Sequence, residues 1–507
     1  MKASDIIAVL PELILLVAAG AILLVEAFLK PRVVRDENGA VCGEAPADRT
    51  AVMAIALVGF AASIAVALLL YGHDRTAFAG MMALDSWAIF FKVLFGITGF
   101  ITVLMSSSYL EAHRRHMGEY YALLVFAVIG LDLMAGARDF ILFYVSFELM
   151  SIASYLLAAY FRYRKHSNEA ALKYFLTGSF ASAIMLYGIS LIYGETGFTN
   201  YTAIARSLGG HEGAPAVVFA ILLIGVGLAF KVSAAPFHMW TPDVYQGAPT
   251  PVTAFFATGP KIGAFSVFMT AFFMAFPGAA HEWGIFFLVL SILTMLVGNL
   301  FALVQSNIKR MLAYSSIAHA GYLLAGLAAV GLGSFVGRST YPDPAKGVLI
   351  YLVAYAFMNL GAFAVLAYLK TQCPDKFDFS LKHFAGLGRR SPWAGALLSL
   401  FLLSLAGIPG TAGFIGKFYV FSGIVQLGYW WLAVIGVLMS AVSAYYYLRV
   451  IIYMWFREPE EELVLRAPIS GSMAAALTLA AAATILIGIV PQRLWDAVAQ
   501  AVASLFS

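Results

Sequence analysis

Four ionisable residues stand deep inside long apolar segments of this sequence, where a charge is costly. They are Glu148, Lys231, Lys261 and Lys417. A charge at the centre of a transmembrane helix costs about 3 kcal/mol even on a lenient insertion scale, so the four together cost about 12 kcal/mol. Since that cost is comparable to the whole stability of a typical domain, it indicates a role beyond packing.

Glu148 has polar neighbours at helical spacing. At 1.5 Å per residue it lies roughly 14 Å into its predicted helix. Tyr144, Ser151 and Tyr155 share its face and form a polar stripe. A buried ion pair that only fixes helix packing is the alternative interpretation, both for Glu148 and for Lys261.

Other ionisable residues in the apolar segments carry a weaker signal. His319 shares a face with Ser315 and Tyr322, but one histidine on such a stripe can equally be a hydrogen-bonding core residue. Four more lie within about two helical turns of a predicted end, where a long side chain can extend to the membrane interface. These four residues are Lys92, Asp132, Lys173 and Arg449.

The composition explains which solvent surrounds these residues. The chain of 507 residues is 62% hydrophobic and 11% charged, less than half the charge content of a soluble domain. A hydrocarbon core of about 30 Å needs roughly 20 apolar residues per helix. The sequence predicts an all-α polytopic membrane protein with about fourteen transmembrane helices. The predicted spans are 6–29, 51–72, 85–109, 117–135, 139–160, 169–194, 216–247, 252–276, 284–304, 310–332, 346–369, 393–427, 430–455 and 472–490.

Two of these spans are overlong and interrupted. The seventh breaks at AAPF (234–237) beside Lys231, and the twelfth breaks at AGIPGTAGF (406–414) just before Lys417. Transporters built from inverted repeats place discontinuous helices at corresponding positions of the two halves, facing a water-filled pathway. Because the interrupted spans are five segments apart, we expect two inverted five-helix repeats, each containing a broken helix. One departure is that Lys231 precedes its break whereas Lys417 follows its own.

The repeats imply a division of the chain into four parts. A three-helix segment (1–116) precedes the first repeat, helices four to eight (117–276). The second repeat comprises helices nine to thirteen (284–455), and a C-terminal part (456–507) holds helix fourteen.

The distribution of lysine and arginine predicts the orientation. If the N-terminus lies outside, most basic residues of the connections fall on the cytoplasmic side, as the positive-inside rule requires. Both termini are then expected outside, and the first span is expected to be a retained helix rather than a signal peptide. Cys42 and Cys373 fall in the two richest inside loops, so we expect reduced thiols, and neither a disulfide nor an iron–sulfur site.

Several other chemistries lack their motifs. The sequence has no H-E-x-x-H, no paired C-x-x-C and no G-x-G-x-x-G. GTAGFIGKF (410–418) approaches a phosphate loop, but Thr411 replaces a loop glycine and Phe418 replaces the final Ser/Thr. We therefore expect no nucleotide, haem or metal site, and the net charge of +4 needs no nucleic-acid partner because topology accounts for the basic residues.

Five stretches carry a family resemblance. The stretches are FELMSIASYLLAAY (147–160), NEAALKYFLTGSFASAIMLYGISLIYGETG (168–197), FKVSAAPFHMWTPDVYQGAPTPVTAFFATGPKIGAF (230–265), KRMLAYSSIAHAGYLL (309–324) and GIPGTAGFIGKFYVF (407–421). Over segments four to thirteen the sequence resembles the antiporter-like membrane subunits of bacterial respiratory complex I. Two features set it apart from the two sister subunits of this family: lysine at 417, where the sisters are expected to carry an acid, and a chain that ends after fourteen spans without a long lateral helix.

The resemblance implies a pair of proton half-channels inside a redox-driven pump. It implies that Glu148 pairs with Lys231, that Lys261 is the central relay and that Lys417 is the site at the second broken helix. Lys173 and His319 would be auxiliary relay or tuning groups. Burial favours the neutral amine of Lys231 and an approaching carboxylate favours its ammonium form, so moving the pair together or apart would switch its proton.

The resemblance also implies cofactors, partners and location. The chain itself would hold no cofactor, with NADH, FMN, iron–sulfur clusters and quinone handled by other subunits. Its partners would be the sister antiporter-like subunits, small channel subunits and the lipid of the bacterial cytoplasmic (inner) membrane, with both termini periplasmic. Two alternatives remain: an Mrp-type cation/proton antiporter subunit, which shares fold and motifs, and a non-transporting scaffold whose charges only lock helices together.

Overall fold

The computed structural model describes residues 3–29, 32–35, 41–45, 49–335, 342–374, 376–459 and 468–506. The described residues are overwhelmingly helical, as predicted. In chain order the α-helices are α1 Ala3–Ala8, α2 Leu10–Phe28, α3 Thr50–Leu69, α4 Ser86–Ala112, α5 Gly118–Gly136, α6 Phe140–Ala158, α7 Lys165–Thr196, α8 Tyr201–Leu208, α9 Pro215–Val232, α10 Trp240–Gly247, α11 Thr250–Ala275, α12 Ala280–Leu303, α13 Ile308–Phe335, α14 Pro342–Gln372, α15 Leu387–Arg390, α16 Pro392–Ala406, α17 Ala412–Gln426, α18 Trp430–Phe456, α19 Gly471–Ile489 and α20 Gln492–Phe506.

Strands occur only as two short antiparallel hairpins in the described ranges. Strand β1 (Arg32–Arg35) pairs with β2 (Val41–Ala45), and β3 (Arg75–Ala77) pairs with β4 (Met82–Leu84). Three short 3-10 turns complete the elements: Phe78–Gly80, Pro277–Ala279 and Leu381–Phe384.

The predicted spans correspond to the observed helices. Within the described residues, thirteen helices are long and apolar enough to cross a membrane. The predicted span 393–427 is instead divided between α16 and α17, so fourteen passes remain once the two halves are counted together. The spans are apolar because most of their side chains lie in lipid or in the protein interior, and they are helical because backbone polar groups in lipid must be satisfied within the helix itself.

Burial differs between the helices and defines the centre of the bundle. In the most apolar 18-residue stretch of α11 and of α13, 100% of the residues are buried. In the corresponding stretches of α2, α3 and α19, only 33% of the residues are buried. The helices that carry Lys261 and His319 are thus enclosed by other helices, while the more exposed ones present large apolar side chains outward.

Both predicted helix breaks are present, and left-handed backbone conformations end the first halves. Helix α9 ends at Ser233 with φ 65°, and α10 begins at Trp240. Helix α16 ends at Gly407 with φ 93°, where glycine adopts the left-handed conformation without the Cβ penalty. The break after α9 thus begins two residues beyond Lys231.

Candidate functional site

Lys231 lies in the last turn of α9, and its side chain is enclosed by aromatic rings. Only 1% of the residue is exposed. Its Nζ donates to Ser151 Oγ at 2.9 Å and to the Tyr174 hydroxyl at 3.1 Å. The ring centroids of Phe147, Tyr155 and Tyr174 lie 5.1, 5.7 and 5.1 Å from Nζ. This cage favours a cation through the negative faces of the rings.

Glu148 lies beside this cage but does not touch Lys231. Its carboxylate accepts a hydrogen bond from Ser182, whose Oγ is 3.1 Å from the Tyr144 hydroxyl. Both side chains are described, and no ion pair of 4.0 Å or less joins Glu148 to Lys231. The predicted direct pair is therefore not formed in this structure. Ser151, one turn from Glu148 on the same helix, holds the ammonium instead.

Lys261 occupies the middle of the enclosed helix α11 and is 2% exposed. Its Nζ donates to the carbonyl oxygen of Ser316 at 3.0 Å and to Ser316 Oγ at 2.5 Å. Ser316 Oγ also accepts a 2.6 Å bond from the Tyr355 hydroxyl. The lysine therefore sits at a junction of α11, α13 and α14.

Aromatic residues connect the surroundings of Lys231 and Lys261. The ring of Tyr174 stacks on Trp240 with centroids 4.4 Å apart and planes 9° apart. Trp240 and Tyr245 meet edge to face at 6.4 Å. The Tyr245 hydroxyl lies 3.5 Å from Ser316 Oγ, the partner of Lys261. Most of this bridge belongs to α10, so the second half of the broken helix carries the link.

His319 lies on α13, one turn after Ser316, with both ring nitrogens engaged. Nδ1 is 2.5 Å from the Tyr351 hydroxyl and Nε2 is 3.1 Å from the Tyr447 hydroxyl. Ser315 also contacts the Tyr447 hydroxyl. Because each tyrosine hydroxyl can donate or accept, His319 can accept a proton on one ring nitrogen and release a proton from the other without moving its ring.

Lys417 lies on α17 and reaches back across the break. Its Nζ donates to the carbonyl oxygens of Leu405 and Ala406 at 3.0 and 2.9 Å, and to Ser440 Oγ at 2.7 Å. The Tyr322 ring centroid is 5.3 Å from Nζ. The ammonium group is therefore placed against the negative end of the α16 dipole.

A short hydrogen-bonded chain links Tyr446 of α18 to Tyr322, whose ring faces Lys417. Tyr446 donates to Asn299 Oδ1 at 3.2 Å, and Asn299 Nδ2 donates to the Tyr322 hydroxyl at 3.1 Å. Tyr446 packs on Tyr447, with ring centroids 4.4 Å apart. The groups around His319 and those around Lys417 are thus in contact.

Lys173 lies apart from the buried row formed by Lys231, Lys261, His319 and Lys417. Its side chain is 43% exposed and pairs with Glu169 and Asp243, each at 2.7 Å, while Arg310 reaches Asp243 at 2.6 Å. A polar cavity of about 210 Å³ adjoins this cluster and is lined by His166, Glu169, Ala170, Asp243, Gln246 and Gly247. Because Asp243 belongs to α10, this charged cluster lies beside the aromatic bridge.

Of the four residues considered for the membrane interface, some reach the surface and others are buried. Lys92 and Asp132 are 2% and 1% exposed, so their charges do not extend to the surface. Lys173 does reach the surface, and Arg449 donates to the carbonyl oxygens of Leu303 and Gln305, at the end of α12. Helical depth alone does not reveal that α2, α4 and α5 enclose Lys92 and Asp132.

Two buried lysines, Lys309 and Lys370, were not among the candidate residues. Lys309 is 1% exposed and donates to the carbonyl oxygens of Ala248 and Gln246 at 2.7 and 3.4 Å. These carbonyls end α10, so Lys309 stabilises the C-terminal end of the half-helix. The sequence signal for such a residue was the break in the seventh span, because the carbonyl oxygens at the end of a short half-helix inside a membrane protein need a hydrogen-bond donor.

The chemistry of the row suits proton transfer, and the described residues show no metal-binding group. The hydrogen-bond acceptors of Lys231, Lys261 and Lys417 are neutral oxygens, so each nitrogen can hold either two or three protons at modest cost. Hydroxyl and imidazole groups that both donate and accept fill the spaces between them. Among the described residues, no group of three His, Cys, Asp or Glu is arranged to hold a metal ion.

Comparison with known proteins gives three consistent matches. The model of the protein family described as NADH:quinone oxidoreductase/Mrp antiporter, TM, matches residues 137–443. NADH-quinone oxidoreductase subunit N of Trichlorobacter lovleyi is 42% identical over 498 residues, which is 97% of this chain and 96% of that protein. A chain of respiratory complex I from Thermus thermophilus with bound aureothin is 34% identical with a TM-score of 0.77, covering 96% of this chain and 99% of that one.

A likeness to a second kind of complex concerns the fold alone. A chain of the Mrp complex from Dietzia sp. DQ12-45-1b has a TM-score of 0.81 at 18% identity and covers 100% of this chain and 98% of that one.

Proposed function

Because the chain belongs to the NADH:quinone oxidoreductase/Mrp antiporter family of membrane proteins, we propose that it relays protons as a membrane subunit of a bacterial NADH:quinone oxidoreductase. Two relationships support the proposal. The curated relative that it matches over almost its whole length is subunit N of that enzyme. The buried lysines lie in one row of polar and aromatic side chains, which is the arrangement that a proton path needs.

The position of Lys261 carries this proposal. It is a buried amine at the centre of the enclosed helix α11, hydrogen-bonded to Ser316, with groups that lead to Lys231 on one side and to Lys417 on the other. A lysine whose nearest partners are neutral can change charge without stranding a buried counter-ion. We assign it the central relay.

The other residues take roles in sequence along the row. Glu148 and Lys231 form the first site, with the carboxylate stabilising the ammonium when helix motion or water brings the two together. His319 transfers protons between tyrosine hydroxyls, and Lys417 is the second terminal site. Lys173 stabilises the charge of Asp243 in the exposed charged cluster rather than holding a proton inside the row.

Several finer features belong to the same proposal. NADH, FMN, iron–sulfur and quinone chemistry takes place in other subunits, and this chain holds no redox centre. The partners are sister antiporter-like subunits and small channel subunits. The protein resides in the bacterial cytoplasmic membrane with periplasmic termini, and residues 117–276 and 284–455 are inverted repeats flanked by residues 1–116 and 456–507.

The test is proton pumping by the purified complex reconstituted in vesicles. In Lys261→Ala, the pH gradient formed during quinone reduction should fall sharply while the complex assembles in normal amounts. Lys376→Ala, which removes an exposed lysine from the loop after α14, is the matched control and should pump like the parent. Normal pumping by Lys261→Ala at equal enzyme content would remove this residue from the relay.

The same preparation separates the alternatives. An Mrp-type antiporter would exchange Na⁺ for H⁺ without NADH or quinone, so sodium-driven pH changes in vesicles would favour it. A scaffold would respond to Lys261→Ala with loss of assembled complex rather than with loss of pumping.

A further inference from the structure

A second cluster of buried charges lies outside the row and before residue 137, where the family match begins. Glu12 is the third residue of α2, Lys92 the seventh of α4 and Asp132 the fifth from the end of α5. The exposed fractions of these residues are 4%, 2% and 1%. All three therefore belong to the interior, Glu12 and Lys92 near the N-terminal ends of their helices and Asp132 near the C-terminal end of its own.

Two members of this cluster form an ion pair. Lys92 Nζ lies 2.8 Å from Glu12 Oε1, with 0% and 5% of the two side chains exposed. The same nitrogen donates to the carbonyl oxygen of Ala8 at 3.3 Å. Ala8 packs with Ala77 and Leu84 of the β3–β4 hairpin, so apolar side chains adjoin the pair at this end of the bundle.

The third member has no such compensation. The carboxyl oxygens of Asp132, like those of Glu12, are buried without a hydrogen-bond partner among the described residues, but unlike Glu12, Asp132 is in no ion pair of 4.0 Å or less there. Asp132 interacts electrostatically with Glu12 and with Lys92. An ionised carboxylate without hydrogen bonds is costly to bury, so a carboxyl group in this position favours its protonated form.

The charged groups at the adjoining ends of α4 and α5, and the one on α11, have partners of their own. Asp85 and Arg138, at the adjoining ends of α4 and α5, form an ion pair with each other. Asp85 also accepts a hydrogen bond from the backbone N–H of Ala88, as an N-cap. Helix α11, which packs against α4 and α5, carries only Lys261 as an ionisable residue, and that lysine is bonded to Ser316. One ammonium group therefore serves two carboxyl groups.

We propose that Glu12, Lys92 and Asp132 form a proton-binding site that holds one exchangeable proton, distinct from the row through Lys261. Lys92 compensates one carboxylate at a time. The proton rests on Asp132 while Glu12 holds the ammonium, and it moves to Glu12 when Asp132 takes that partner. No bond other than O–H is made or broken, and the net charge of the site stays at zero.

The proposal is independent of whether the chain pumps, because it concerns equilibrium proton occupancy. The measurement is the infrared band of protonated carboxyl groups in the intact purified complex, recorded in H₂O and D₂O. The spectrum of the parent minus that of Asp132→Asn should contain such a band, and the band should shift in D₂O.

Asp139→Asn is the matched control. Asp139 is 3% exposed, but it accepts hydrogen bonds from the Ile141 N–H at 2.8 Å and from Thr199 Oγ1 at 2.6 Å. It therefore represents a buried aspartate whose carboxyl oxygens accept hydrogen bonds. Its substitution should leave the protonated-carboxyl region unchanged.

Two further variants test the shared-charge argument even where Asp132→Asn assembles poorly. Glu12→Gln frees Lys92 to pair with Asp132, so the same band should disappear although Asp132 is intact. Lys92→Met removes the only cation, so a second protonated-carboxyl band should appear. The proposal fails if the band persists in Glu12→Gln, if Lys92→Met adds none, or if the band does not shift in D₂O.

Discussion

Lys417 donates a 3.0 Å hydrogen bond across the break of its own helix to the carbonyl oxygen of Leu405. Leu405 belongs to the last turn of α16, where the helix dipole carries partial negative charge. Lys231 stands in the last turn of α9, the first half of the other broken helix. Although the two lysines lie on opposite sides of their breaks in sequence, the ammonium group of Lys417 thus reaches the C-terminal end of a first half-helix, the region in which Lys231 itself stands.

The contact between Lys417 and α16 predicts a strong response to charge reversal. Lys417→Glu would place a carboxylate against the carbonyl oxygens that the ammonium now satisfies. We expect a loss of roughly 1–3 kcal/mol in the stability of this region, as for unsatisfied buried groups, together with loss of pumping. Ser440→Ala removes one neutral acceptor only and should cost about 1 kcal/mol. Thermal unfolding and pH-gradient formation by the purified complex measure both; equal stability of Lys417→Glu and the parent would contradict the capping role.

The separation of Glu148 from Lys231 predicts that each matters without a permanent ion pair. Glu148→Gln and Lys231→Met should each impair proton translocation coupled to quinone reduction. Lys231→Arg should not restore it fully, because guanidinium does not release its proton. Glu195→Gln, an exposed acid at the end of α7, provides the control. Three site variants that pump like the parent at equal enzyme content would make the two residues structural.

The aromatic cage around Lys231 predicts a difference between removing a ring and removing a hydroxyl. Phe147→Leu loses a ring face 5.1 Å from the ammonium and should weaken its stabilisation by about 0.5–2 kcal/mol. Tyr155→Phe keeps its ring and should retain most of the pumping. Phe219→Leu, an exposed position on α9, controls for loss of an aromatic side chain. Pumping rates in vesicles distinguish them, and equal rates for all three variants would exclude a role for the cage.

The charge distribution of the loops predicts the orientation of the chain. A membrane-impermeant thiol reagent added to intact cells should fail to label Cys42 and Cys373, since both loops are predicted to be cytoplasmic. Asp74→Cys, in the connection between α3 and β3, should be labelled in a cysteine-free background. The side chain of Cys42 lies outside the described residues, so labelling is the direct measurement. Strong labelling of either native cysteine would reverse the topology.

The membrane spans and their interruptions could be read from the sequence because they depend on local properties. The thickness of the bilayer requires about 20 apolar residues per span. Pro236, Gly407 and Gly410 mark positions at which a continuous helix is interrupted. The cost of burying charge also singled out Lys261 before its surroundings were known. These inferences need no knowledge of which helices are neighbours.

The partners of the ionisable residues depend on how the helices are rotated and packed. Lys261 meets Ser316, and Lys92 meets Glu12, across separations of 55 and 80 residues along the chain. Depth along a helix does not indicate whether a side chain faces lipid or protein. For that reason the sequence left Lys92 and Asp132 open to an interface position, although both are enclosed.

The sequence by itself determined where this chain crosses the membrane, where two crossings break and which charges are too costly to be incidental. Only the tertiary structure decided that Ser151 rather than Glu148 contacts Lys231, and that Lys417 reaches back to α16. The physical reason is the range of the interactions. Transfer from water to lipid acts on each helix separately, whereas hydrogen bonds and cation–ring contacts require two helices at a specific distance and rotation.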